Sequence, residues 1–236
     1  MVQFGQWLSR LGFTPGTSGN LSVRLDEHRF LATPTGMSKY LVEEADMVIV
    51  NHDGELLEGT RRATSEISMH LAVYRHRPDI RAVIHSHPPI ATACACTGRA
   101  LDQPLCQEAV MTLGVVPLAS YATTGTDEVA TSLVPFIPGH EAILMANHGV
   151  VTYGGSLLEA FLRMETVEHL AHVTLVAHQL GSPRLLTSGE IQQLRDAKAK
   201  YERNSNPESP NARPVDRANA LSCASNGHSV KSGVVV

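Results

Sequence analysis

The stretch that most constrains this chain is Ala82-Val83-Ile84-His85-Ser86-His87-Pro88, an apolar run that ends in two histidines one residue apart and is stopped by Pro88-Pro89. Successive side chains of a strand point to opposite faces, so His85 and His87 project to the same side of the strand end. A second apolar run, Ala142 to Ala146, ends in Asn147-His148-Gly149. Both runs read as buried strands, and strand ends are where such sheets place their chemistry. A His-x-His pair alone is a weak signal. A third histidine at the end of another buried strand strengthens it, because three neutral imidazoles with one open position are the usual arrangement for a catalytic zinc ion.

Around these two runs, helical and strand patterns alternate. Helices are expected over Phe4 to Leu11, Ser65 to Arg77, Pro89 to Cys96, Asp127 to Leu133, Ser156 to Leu180 and Ser188 to Glu202. Strands are expected at Leu21 to Arg24, Arg29 to Ala32, Met47 to Val50, Gly114 to Leu118 and Val150 to Tyr153. The order implies an α/β domain over residues 1–203, either three-layered α/β/α or α+β, with a mixed sheet. From Asn204 the chain turns to Asn, Ser, Pro, Ala and Gly, so residues 204–236 are expected to form a disordered tail.

Composition excludes several classes. A formal charge of -4 and a pI near 6.3 leave no footprint for nucleic acid. No apolar run approaches the roughly 18 residues that span a bilayer, and no secretory signal pattern opens the chain. Cys94, Cys96, Cys106 and Cys223 are too few and too irregular for a disulfide framework, which suits a reducing cytoplasm. With 43% hydrophobic side chains, 236 residues can bury one sizeable core.

Two glycine loops, Thr17-Ser18-Gly19-Asn20 and Thr33-Pro34-Thr35-Gly36, have neither the Walker nor the dinucleotide-binding order. Loops of hydroxyl, amide and glycine can still wrap a phosphate, although on local sequence alone plain turn chemistry is the favoured explanation. Ala63-Thr64-Ser65-Glu66 opens the helix before the His85 strand. Thr64 or Ser65 could cap that helix, and Glu66 in its first turn could serve only its dipole. Local rules leave Glu66 undecided. His70, on the same helical face, reads either as support for Glu66 or as a satisfied packing residue.

Taken in order and at these spacings, Gly16 to Arg24, Thr33 to Gly36, Thr64 to Glu66, His85 to His87 and Asn147 to Gly149 resemble the class II aldolase/adducin family. The resemblance covers about residues 1 to 180. It implies a central, mainly antiparallel mixed sheet, a cytoplasmic homotetramer with active sites between subunits, and no nucleic-acid or membrane partner. It is most similar in catalytic pattern to the L-fuculose-phosphate aldolases, which implies cleavage of a small phosphorylated ketose to dihydroxyacetone phosphate and an aldehyde. By that resemblance His85, His87 and His148 hold Zn2+ or another divalent metal, with Glu66 capping the resting metal and acting as acid/base. Gly19, Asn20, Thr35, Gly36, Thr64 and Ser65 bind the phosphate. Neutral donors of this kind, without a lysine clamp, fit the acidic pI.

One departure matters. Where the fuculose-phosphate aldolases carry a tyrosine that reaches a neighbour's site, this chain has Glu108 in Pro104 to Val110. Gln107-Glu108 is similar to the acid/base step of the methylthioribulose-1-phosphate dehydratases, which lack a glutamate at the Glu66 position. Glu108 is therefore either a second catalytic residue or a solvated surface residue. A dehydratase, a sugar-phosphate epimerase or decarboxylase of the family, and an adducin-like binding module remain the alternatives to an aldolase.

Overall fold

The computed structural model describes residues 1–205. Eight strands form one sheet in the order β4-β3-β2-β1-β5-β8-β7-β6. They are β1 (Asn20–Arg24), β2 (Phe30–Ala32), β3 (Val48–Val50), β4 (Leu56–Glu58), β5 (Ala82–Ser86), β6 (Leu118–Ala119), β7 (Ala142–Met145) and β8 (Gly149–Gly154). All neighbours pair antiparallel except β6 and β7, which are parallel, so the sheet is mixed and mainly antiparallel as expected. β5 and β8 are buried along their whole lengths, which explains their continuous apolar runs.

The sheet carries helices on both faces. One core layer joins Ile84 and Leu144 to Leu8 of α1 (Val2–Arg10), Ala91 and Ala95 of α3 (Pro89–Cys96), Ala109 of α4 (Gln107–Thr112) and Phe161 and Met164 of α6 (Leu157–Leu180). The other joins Val83, Ile143 and Val151 to Met69 and Val73 of α2 (Ile67–His76) and to Val129 and Leu133 of α5 (Asp127–Leu133). Alternation along β5 puts Ala82 and Ile84 on the first face and Val83 on the second. His85 therefore falls on the α2 face, the side that carries Glu66.

Local signals account for most boundaries. Ser156 caps α6 by accepting the Glu159 backbone N–H at 3.1 Å. β4 and α4 were not expected. The three β4 residues are all exposed, and six-residue α4 buries only Ala109, so neither shows a period. The strand expected over Gly114 to Leu118 is shorter and later, at Leu118–Ala119, because Val116 instead makes an isolated bridge to Leu101.

One compact unit comprises Met1–Gln192, and a second begins at Gln193, within α7 (Ser188–Ser205). The tail expected over 204–236 lies outside the described residues from 206 onward. No described helix is long and apolar enough to cross a membrane.

Candidate active site

His85 is held by the sheet itself. It faces Asn20 across the β1–β5 ladder and Val151 across the β5–β8 ladder. His87 lies just past the strand, its backbone N–H donating to Phe13 O at 2.7 Å. His148 sits in the β7–β8 turn, where Asn147 takes φ 56° and the His148 N–H donates to Met145 O. Gly149 follows because nothing larger fits. A Cβ there would lie 2.5 Å from the His87 ring and 2.7 Å from Ser86 O.

The three rings converge. Their ligand nitrogens all lie within 4.8 Å of one another, and His87 Nε2 stands 3.0 Å from His85 Nε2. His85 Nδ1 donates to Val150 O at 2.9 Å, which leaves its Nε2 lone pair facing the cluster. Burial pushes the His85 imidazole down to about 3 and lowers that of His87.

Glu66 meets them from the α2 side. It occupies the N-cap position of α2, not the first turn, and its side chain does not cap the helix. Its Oε2 accepts from Asn20 Nδ2 at 2.8 Å and lies 3.3 Å from His85 Nε2. Its Oε1 is 3.1 Å from His148 Nε2, yet this buried oxygen has no aligned hydrogen-bond donor. Burial opposes its charge, but His85, His148 and the Asn20 amide outweigh burial and hold the carboxyl below its usual range. Three imidazole nitrogens and an orphaned carboxylate oxygen, aimed at one point, fit a divalent cation.

The glycine loops close the other end of this cleft. Thr64 N–H donates to Thr33 O and Thr35 N–H to Arg62 O, so the Thr33–Gly36 loop and the Thr64–Glu66 segment are sewn together. With Thr17 to Asn20 they line a cleft of about 550 Å³ that also contains Glu66, His87 and His148. The six expected phosphate residues all line it.

Three further lining features escaped the sequence. Ser18 Oγ is hidden from solvent with no hydrogen-bond partner. Thr124 and Gly125, from the loop before α5, form the far rim. Lys39 corrects the expectation of an anion end without lysine: it is 1% exposed and lies beneath the loops, donating to Thr17 O at 3.2 Å and to Met37 O. Burial pushes its ammonium down to about 8. Gly5 of α1 presses on the Lys39 backbone, where a Cβ at Gly5 would lie 3.0 Å from Lys39 O.

Glu108 is not part of this cleft within one chain. It stands exposed on α4. A larger groove of about 670 Å³ lies between α3 and α6, lined by residues such as Ile90, Cys94 and Leu175, and contains none of the expected site residues.

Comparison with known proteins agrees with this geometry. Residues 1–175 match the family model for the class II aldolase and adducin N-terminal domain. The chain is 35% identical over 196 residues to the 5-deoxy-D-ribulose 1-phosphate aldolase of Bacillus thuringiensis serovar kurstaki, covering 82% of this chain and 91% of that one. It is 38% identical over 202 residues to the 3-oxo-tetronate 4-phosphate decarboxylase of Escherichia coli (strain K12), covering 83% and 93%. A solved L-fuculose 1-phosphate aldolase superposes with a TM-score of 0.78 at 34% identity, covering 84% of this chain and 93% of that one. The chain belongs to the class II aldolase/adducin family, with the metal-dependent lyases of that family as its homologues.

Proposed function

We propose that this protein is a zinc-dependent aldolase that cleaves a ketose 1-phosphate to dihydroxyacetone phosphate and an aldehyde. One observation carries the reading: an ionised Glu66 lies between Asn20 and two of three converging imidazoles, at the edge of a cleft whose other end is hydroxyl- and glycine-rich loop. Imidazole nitrogens suit zinc, and neutral ligands leave the ion its full charge. A bound zinc ion supplies Lewis acidity that stabilises the negative charge developing on the substrate's oxygens.

The chain's own residues do the rest. Gly19, Asn20, Thr35, Gly36, Thr64 and Ser65 hold the phosphate, which fixes the reacting carbons at the imidazole end through binding energy remote from the chemistry. As the C3–C4 bond breaks, its electron pair stays with the dihydroxyacetone phosphate half, and the C4 hydroxyl gives up its proton as the aldehyde forms. Glu66, having taken up a proton from solvent as the substrate enters, delivers it to C3 and returns to its ionised form. Glu108 of a neighbouring copy takes the C4 hydroxyl proton, replacing the tyrosine of the fuculose-phosphate pattern. The working form is a cytoplasmic homotetramer whose sites lie between subunits, a reading supported by the position of Glu108 outside its own cleft.

The substrate is a short deoxy ketose 1-phosphate. Two of the relatives are named for 5-deoxy-D-ribulose 1-phosphate and L-fuculose 1-phosphate, both of this type. The relative at 38% identity favours a second reading, decarboxylation of a 3-oxo-tetronate 4-phosphate, on the same cleft. The zinc-loaded protein should be incubated with these three compounds and with methylthioribulose 1-phosphate, and the products identified by mass. Dihydroxyacetone phosphate whose release stops on chelation supports the aldolase. Carbon dioxide supports the decarboxylase, and loss of water without C–C cleavage supports the dehydratase chemistry suggested by Gln107-Glu108.

A further inference from the structure

Five side chains run in line from the cleft into the layer between β1 and α2, and their hydrogen bonds have one consistent direction. The Asn20 amide Nδ2 donates to Glu66 Oε2 at 2.8 Å. Asn20 Oδ1 therefore faces His70 Nε2, at 2.5 Å. A carbonyl oxygen can only accept, so the His70 proton is on Nε2. His70 Nδ1 is left as an acceptor and takes the hydroxyl proton of Ser22 at 2.7 Å. Ser22 Oγ in turn accepts from the Tyr74 hydroxyl at 2.8 Å. Ser22 and His70 are 0% exposed, and Asn20 and Tyr74 are nearly as buried, so no solvent can substitute for a missing partner.

We propose that His70 is a positioning residue for Glu66: as the neutral Nε2–H tautomer, held by Ser22 and Tyr74, it fixes the Asn20 amide so that its N–H is aimed at the Glu66 carboxylate. The proposal rests on the reading of Glu66 as the acid/base. Glu66 sits at an N-cap with no cap bond of its own, so α2 alone does not set its rotamer. Asn20 does, and Asn20 has its own orientation set by His70. The i, i+4 spacing of Glu66 and His70 places both on the sheet-facing side of α2, with Asn20 of β1 between them.

Two measurements test this. In the full-length protein with labelled histidine and no substrate, 15N NMR reads the His70 tautomer directly, with and without added zinc. A proton on Nε2 is expected; a proton on Nδ1, or a charged ring at pH 7, overturns the proposal. Turnover then separates positioning from packing. His70→Leu should lower kcat by about 10- to 100-fold while KM stays within about threefold and zinc content is unchanged. His70→Gln, which can still donate to Asn20, should recover most of that loss. Equal losses in both variants, or none in His70→Leu, would reduce His70 to a packing residue. If no ketose phosphate is cleaved at all, the proposed function fails, and the tautomer measurement still decides the geometry.

Discussion

The imidazole end of the cleft and its loop end use opposite materials. At the imidazole end every donor comes from a side chain whose partners are specified by the sheet: His85 by Val150 O, Glu66 by Asn20, His148 by a turn that only Gly149 can follow. At the loop end the donors are backbone N–H groups, hydroxyls and a buried ammonium, and Ser18 Oγ has no partner. The difference matches two tasks. A reacting centre needs atoms fixed to within a fraction of an ångström, whereas a phosphate is a large, symmetric anion that several weak donors can hold. The orphaned Ser18 hydroxyl on a loop fits an anion at one end, and the orphaned acceptor at Glu66 Oε1 fits a cation at the other.

Breaking the imidazole end should have the largest effects. His148→Ala should lose tight zinc binding and bring turnover to background, measured by metal analysis beside kinetics; an active, zinc-loaded variant would remove His148 from the ligand set. Glu66→Gln should keep zinc on the three histidines while kcat falls about 10²- to 10⁴-fold, the range for a lost general acid or base. Glu108 sharpens the comparison because it belongs to neither end of its own cleft. Glu108→Ala should reduce kcat about 10²-fold. Mixing it with Glu66→Gln subunits under exchange should restore activity, since some interfaces then hold both carboxylates. No restoration would place Glu108 outside the reaction.

The loop end should give smaller changes, confined to binding. Lys39→Met should raise KM for a phosphorylated substrate about tenfold with kcat nearly unchanged, the pattern of lost uniform binding. The pH dependence has a definite sign. Below about pH 8 Lys39 is an ammonium and attracts the phosphate; as pH rises through about 8 the charge is lost. KM should therefore climb above pH 8 in the native protein and stay flat there in Lys39→Met. A flat profile in both would leave Lys39 as a strut between the loops.

The imidazole end was largely legible in the sequence, and the contrast explains why. His85 and His87 follow from strand alternation, and His148 from a second buried run ending in a turn; both are local patterns. Glu66 was not decided by local rules, because a glutamate at a helix start suits the dipole equally well, and only its resemblance to a family pattern assigned it. Lys39 was not singled out, because its partner Thr17 and the Gly5 that presses on its backbone lie far away in sequence. The role of Asn20 was half seen: a residue of a polar loop, it is also the first residue of β1, and its amide serves Glu66. His70 could not be told from a packing residue, since burial and hydrogen bonding look alike in a helical pattern.

The place of β5 in the sheet has a consequence for how this protein handles its metal over time. β5 is flanked on both sides, by β1 and β8, and every one of its residues is buried, so its amides should open only when the whole sheet does. His85 is thus anchored in the slowest-exchanging part of the molecule, while His87 and His148 lie just beyond strand ends. Rotation of those two rings, without any unfolding, would be enough to free a bound metal ion. The stripped protein should keep its shape, accept fresh metal without refolding, and lose its ion on a timescale set by two side chains.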